Sequence, residues 1–189
     1  EGSKGEDSMY DSILKASQAY SSGNYVECAK HLLKVDKDSL PSTTAKNLYT
    51  SMKDKAFQNA ATQLSNSGDA SYKAYKYQDA LDDYEQSYKY NKSYNTQYQI
   101  ARCYMFLNKN TDKATKYFYD IINNSGDSDL IRKAANYGLG MTVNSAKEAA
   151  AKAKGGSTTT DSKSDTASSS DSSTSKKSST KSTTEEDFG

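Results

Sequence analysis

Tryptophan is missing from this chain, proline occurs once, at Pro41, and histidine once, at His31. So little proline leaves long stretches free of helix breakers. The only cysteines, Cys28 and Cys103, stand far apart with no CxxC or Cys/His spacing, which excludes a zinc cluster and leaves a disulfide or, as we expect, two small buried thiols. An excess of one charge is missing as well. With 25 basic and 24 acidic side chains the formal net charge is +1, no footprint for nucleic acid or an anionic membrane surface. The chain nowhere reaches the run of about eighteen apolar residues that a membrane span needs. We therefore expect no nucleic-acid partner and no direct membrane insertion by this segment.

Chemistry-bearing constellations are equally scarce. Cys28 and His31 lie three residues apart, a spacing open to a thiol and a base, but a packing thiol beside a lone histidine is the reading we favour. Asp82-Asp83 and Glu185-Glu186 are adjacent pairs that point about 100° apart on a helix, so they do not share a site. Phosphate-binding glycine loops and EF-hand loops are absent. The expectation is a non-catalytic chain with no catalytic residue, no cofactor and no metal.

What the chain does contain divides unevenly. Mean hydropathy is −0.95 with 34% hydrophobic residues, low for one compact globule of 189 residues. More than half of residues 155–189 are Ser or Thr, too polar to offset ordering entropy by burial. The expected organisation is a flexible segment over 1–7, a helical domain over 8–153 and a disordered tail over 154–189. That tail suits a spacer, a phosphorylation target or an O-glycosylated stalk, and the reading we favour is a solvated tail that makes no specific contact. The polar opening Glu1–Asp7 without an initiator Met, and the abundance of Lys, Asn, Tyr and Ser, suggest the extracytoplasmic part of a membrane-anchored or exported bacterial protein, with a cytoplasmic location as the alternative.

Within 8–153, apolar and aromatic residues recur at steps of three and four, as in Ala80, Leu81, Tyr84 and Tyr88, and sustained alternation is absent. This spacing predicts six or seven helices, separated at Ser21–Asn24, Asn108–Asn110 and Asn123–Gly126. Tyr77–Tyr84 is echoed by Thr111–Phe118, each with alanine four positions before an aromatic, and Ala80 and Ala114 stand 34 positions apart. A third copy opens at Gly23, with Cys28 in the alanine slot followed by Leu32. Ala16 and Gly68 each precede their partner by twelve positions, and Ala101 precedes Ala114 by thirteen, one residue more.

On these residues, together with the run Ile100-Ala101-Arg102-Cys103-Tyr104, the chain resembles the tetratricopeptide repeat (TPR) family. The resemblance implies an all-α fold, a right-handed superhelix of antiparallel helix pairs. Its structural positions here would be Ala16, Cys28, Leu32, Gly68, Ala80, Tyr84, Ala101, Tyr104, Ala114 and Phe118. Cys28 and Ala80 are 52 positions apart, eighteen beyond one period. We assign the surplus to a long helix capped by Ser42 and running from Thr43 to at least Asn66. Asp129 to about Ala153 would form a C-terminal capping helix, with Gly138 and Gly140 as possible kinks.

The family's function would be binding of a protein or peptide partner in a concave groove lined by first helices. By register that groove takes Tyr20, Tyr72, Tyr98, Arg102 and Met105, with Gln63, Asp69, Lys73 and Phe106 nearby. The Lys/Asn/Lys/Arg clamp of chaperone-binding members is not reproduced. The alternative expectation is a structural spacer or self-association domain, a homo-oligomer.

Overall fold

A computed structural model describes residues 3–155 of the chain, with side chains from Ser8 onward. All but the first two positions of the expected tail therefore lie outside the described residues. Among the described residues the fold is all-helical, with eight α-helices and no strand. Helix α1 spans Ser3–Ser21, α2 Tyr25–Leu32, α3 Thr43–Lys73, α4 Tyr77–Tyr90, α5 Tyr94–Phe106, α6 Thr111–Asn124, α7 Ser128–Lys133 and α8 Val143–Gly155. From α1 through α6 each helix packs on the next, and α8 returns to pack on α6.

Local chemistry explains most of the boundaries. Ser42 accepts a bond from the Ala45 N–H at 3.1 Å, satisfying an orphan donor and starting α3 directly after Pro41. Asn24, Ser93 and Asp127 cap α2, α5 and α7 in the same way. Three helices end in one shared turn. The N–H of Asn24 bonds to Ala19, that of Lys76 to Ser71 and that of Lys109 to Tyr104, while Gly23, Tyr75 and Asn108 bond back three residues. These are Schellman closures, whose penultimate residue must adopt a left-handed backbone. Gly23 (φ 74°), Tyr75 (φ 62°) and Asn108 (φ 51°) occupy that place. The last turn carries a further left-handed residue, Asn110 at φ 47°, which accommodates the extra residue before Ala114.

Helix α3 is the spine of the molecule. The eighteen surplus residues amount to about five helical turns of 3.6 residues, so the insertion lengthens α3 without turning its packing face away. Two separate apolar cores lie along it. The first gathers Ile13, Ala16, Cys28, Leu32, Val35, Leu40, Tyr49, Met52 and Ala56. A larger one gathers Ala80, Leu81, Tyr84, Tyr98, Ile100, Ala101, Cys103, Tyr104, Ala114, Phe118, Ile121 and residues of the C-terminal segment through Ala150. All the structural positions expected from the repeat pattern are buried.

Small residues set the closest approaches. A methyl at Gly68 would fall 2.7 Å from the Tyr84 ring, so α3 and α4 meet only because no side chain stands there. Nearby, Ser67 donates to Asp83 at 2.7 Å and Ser87 to the Ala61 carbonyl at 2.8 Å. Gly138 repeats the device against Phe118, again at 2.7 Å.

That second contact corrects the expected single capping helix. The segment is α7, a π-helical turn over Ala134–Gly138, a non-helical step through Gly140 (φ 64°), and then α8. The Phe118 ring occupies the space beside Gly138, and the turn widens there, with Leu139 N–H bonding five residues back to Ala134 at 3.0 Å.

Candidate partner-binding surface

The cysteines sit in different cores and both are free and buried. Burial raises the Cys28 thiol above its ordinary value, and that of Cys103 to about 12, so both are held as neutral thiols. His31 is half-buried, with Nε2 4.0 Å from Glu27 Oε2, and no hydrogen bond joins it to Cys28. This pair lacks both the contact and the ionised thiol that a dyad requires. Among the described residues, no group of three or more His, Cys, Asp or Glu gathers to hold a metal. A shallow cleft of about 180 Å³ is lined by Ala61, Thr62, Ser65, Asn66, Ser87, Asn91, Ser93 and Thr96, neutral groups without a base among them.

Aromatic side chains make the most distinctive surface. At the end of α3 and the start of α4, Tyr72 and Tyr77 meet edge to face with centroids 5.3 Å apart. The Phe106 ring from the end of α5 stacks on Tyr77 at 4.4 Å and meets Tyr72 edge-on at 5.9 Å. Tyr75 adds a fourth ring, 6.4 Å from Tyr77. Tyr75 is 76% exposed and Phe106 47%, while Tyr72 packs against the larger core, so the cluster runs from the edge of that core out to the surface. Burial raises the Tyr72 phenol above its ordinary value, with Arg102 pulling the opposite way, and burial likewise raises Tyr77.

Arg102 crosses the cluster from α5. Its guanidinium carbon lies 4.8 Å from the Phe106 centroid, and Nη1 donates to the Tyr137 carbonyl at 2.7 Å. Its Nε–H is buried without an acceptor, and no ion pair with a carboxylate is formed among the described residues. Tyr137, 42% exposed, extends the surface from the C-terminal segment.

The five residues expected on a groove separate into three groups. Tyr72 and Arg102 come together in the cluster, both against the Phe106 ring, and Met105, 39% exposed, lies beside Phe106 in sequence on α5. Tyr98 is a correction. Only 3% exposed, it packs edge-on against Phe118 at 5.9 Å, because its place in α5 faces α6 and the larger core. Tyr20 packs on the smaller core, edge-on to Tyr25 at 5.6 Å, with Lys55 Nζ 5.8 Å from its ring centre. Of the neighbours, Asp69 accepts from the Tyr84 hydroxyl.

Tyr75, Tyr77 and Tyr137 were missed as surface residues by the register argument, which followed first helices and ignored turns. One signal was available. Tyr75 precedes Ala80 by five positions as Gly23 precedes Cys28, so a tyrosine occupies a glycine place.

Comparisons with protein-family models, with curated proteins and with solved structures each find no match to this chain.

Proposed function

We propose that this chain is a TPR-like, non-catalytic interaction module that binds a peptide or helix of a partner protein on the face formed by Tyr72, Tyr75, Tyr77, Met105 and Phe106. The 34-residue interval between Ala80 and Ala114, the small residues facing large rings and the contacts of Ser67 with Asp83 and Ser87 with Ala61 support antiparallel repeats of that kind.

One observation carries the functional part. Tyr75 holds a left-handed backbone in a turn whose two counterparts use glycine and asparagine, and its ring is 76% exposed. A left-handed conformation costs a bulky L-residue about 1–2 kcal/mol, and an exposed ring recovers little of this by burial. Strain retained at an exposed aromatic is explained by a contact with another molecule.

The test separates stability from binding. Tyr75→Gly raises the urea midpoint, by about 1 kcal/mol of stability, while capture of partners by the immobilised chain, scored by quantitative mass spectrometry, falls at least tenfold. An unchanged capture profile for both Tyr75→Gly and Phe106→Ala would falsify the assignment of this face.

Self-association remains the second reading, favoured by the exposed apolar residues Tyr10 and Leu14 on the outer side of α1. Light scattering across a concentration series distinguishes the two, since a monomer throughout removes it.

A further inference from the structure

Arg102 looks at first like the residue that would grip a ligand, yet its bonds turn inward. The segment formed by α7 and the π-helical turn ends at Gly138, and the Tyr137 carbonyl stands among its last residues. Carbonyls at a helix C-terminus lack in-helix donors and carry the negative end of the helix dipole. Arg102 Nη1 donates to that carbonyl at 2.7 Å from a position 35 residues earlier in the chain. The same guanidinium lies over the Phe106 ring of α5, which meets the Tyr72 ring of α3 edge-on at 5.9 Å.

We propose that Arg102 is a positioning residue: it caps the C-terminal turn in trans and locks that turn to α3 and α5, so that Tyr72, Phe106 and Tyr137 present one surface. A cation with an N–H donor is what the carbonyl requires, and the guanidinium adds stacking on the Phe106 ring, so an ammonium in its place keeps the cap and loses only the stacking. Lysine serves nearly everywhere else, Arg102 and Arg132 being the only arginines in the chain. Arg132 is committed locally to Asp129 at 2.8 Å.

The role rests on the reading of this face as the partner surface only for its consequence, and its test uses no partner. Hydrogen exchange of the full chain is followed by mass spectrometry in wild type, Arg102→Ala and Arg102→Lys. Arg102→Ala accelerates exchange of amides in 134–142 on the order of tenfold or more and leaves α1 and α2 at the wild-type rate. Arg102→Lys, which keeps a cation able to reach the carbonyl, returns the same amides to within about threefold of wild type. Unchanged exchange at 134–142 in Arg102→Ala overturns the proposal, and so does a lysine variant as unprotected as the alanine one.

Discussion

Replacing Gly68 by alanine would place a methyl carbon 2.7 Å from Tyr84 Cε1, 2.8 Å from Cδ1 and 3.1 Å from Cζ. Relief requires the ring to move. Tyr84 is fully buried, and its hydroxyl is anchored on Asp69, so the ring cannot swing aside as a long flexible chain would. Overpacking of this kind costs about 1–3 kcal/mol, whereas glycine to alanine inside a helix returns up to about 1 kcal/mol of propensity. Because the ring is held, the overpacking cost sits at its upper end and the net expectation is a loss of about 2 kcal/mol, lowering Tm by about 2–4 °C per kcal/mol in a chain of this size. Urea denaturation followed by far-ultraviolet circular dichroism measures the change. The mechanism is isolated by a cycle with Tyr84→Leu, which removes the ring: the alanine should then cost less, with a coupling above about 0.5 kcal/mol. Gly68→Ala proving as stable as wild type, or stabilising by the propensity increment, would refute the argument that this glycine exists for close approach.

Other expectations follow from the same structure. Gly138→Ala should be destabilising by a similar amount through Phe118, its methyl falling 2.7 Å from two ring atoms. Ser42→Ala should remove about 1 kcal/mol of stability by uncapping α3, measured by chemical denaturation. Stability should decline in alkali: burial raises the Cys103 thiol from 9.0 to about 12, and burial with bonds to Asp69 and Glu85 raises Tyr84 and Tyr104. These acids ionise more readily unfolded, so their contribution is complete below about pH 9 and is lost as pH rises through the folded values. A urea midpoint that stays level from pH 7 to about pH 11 would contradict this. A thiol reagent should label Cys28 and Cys103 slowly in native buffer and fully in guanidinium, and rapid native labelling of either would show that its core is open.

Helical periodicity is a local property, and it was legible throughout. The alanine-to-aromatic spacing marked α4 and α6, Ser42 marked the start of α3, and the surplus before Ala80 was correctly absorbed by one long helix because α3 carries no proline. Its length to Lys73 exceeded the minimum expected, since Gly68 is tolerated in a helix that the Tyr84 ring packs against at that very position. Helix α1 starts at Ser3, ahead of the expected Ser8.

Pairings between distant segments were not legible. Phe118 announced a buried ring, but that Gly138 would be the residue beneath it, breaking the last helix into a π turn, depends on how α6 and the C-terminal segment dock. Tyr98 and Arg102 are four positions apart on α5, one turn, and a register argument placed both on the same face. Packing separated them: Tyr98 reaches Phe118 and is buried, while Arg102 reaches over Phe106 to the Tyr137 carbonyl. Side chains of one helix share a face only to within the arc their neighbours allow, and here α6 and the π turn divide that arc. Composition and spacing determined that the described part of this chain is helical, because a three- and four-residue period is written into each segment on its own. Tertiary structure decided which aromatics fill the cores and which gather around Tyr75 at the surface, because exposure depends on neighbours remote in sequence.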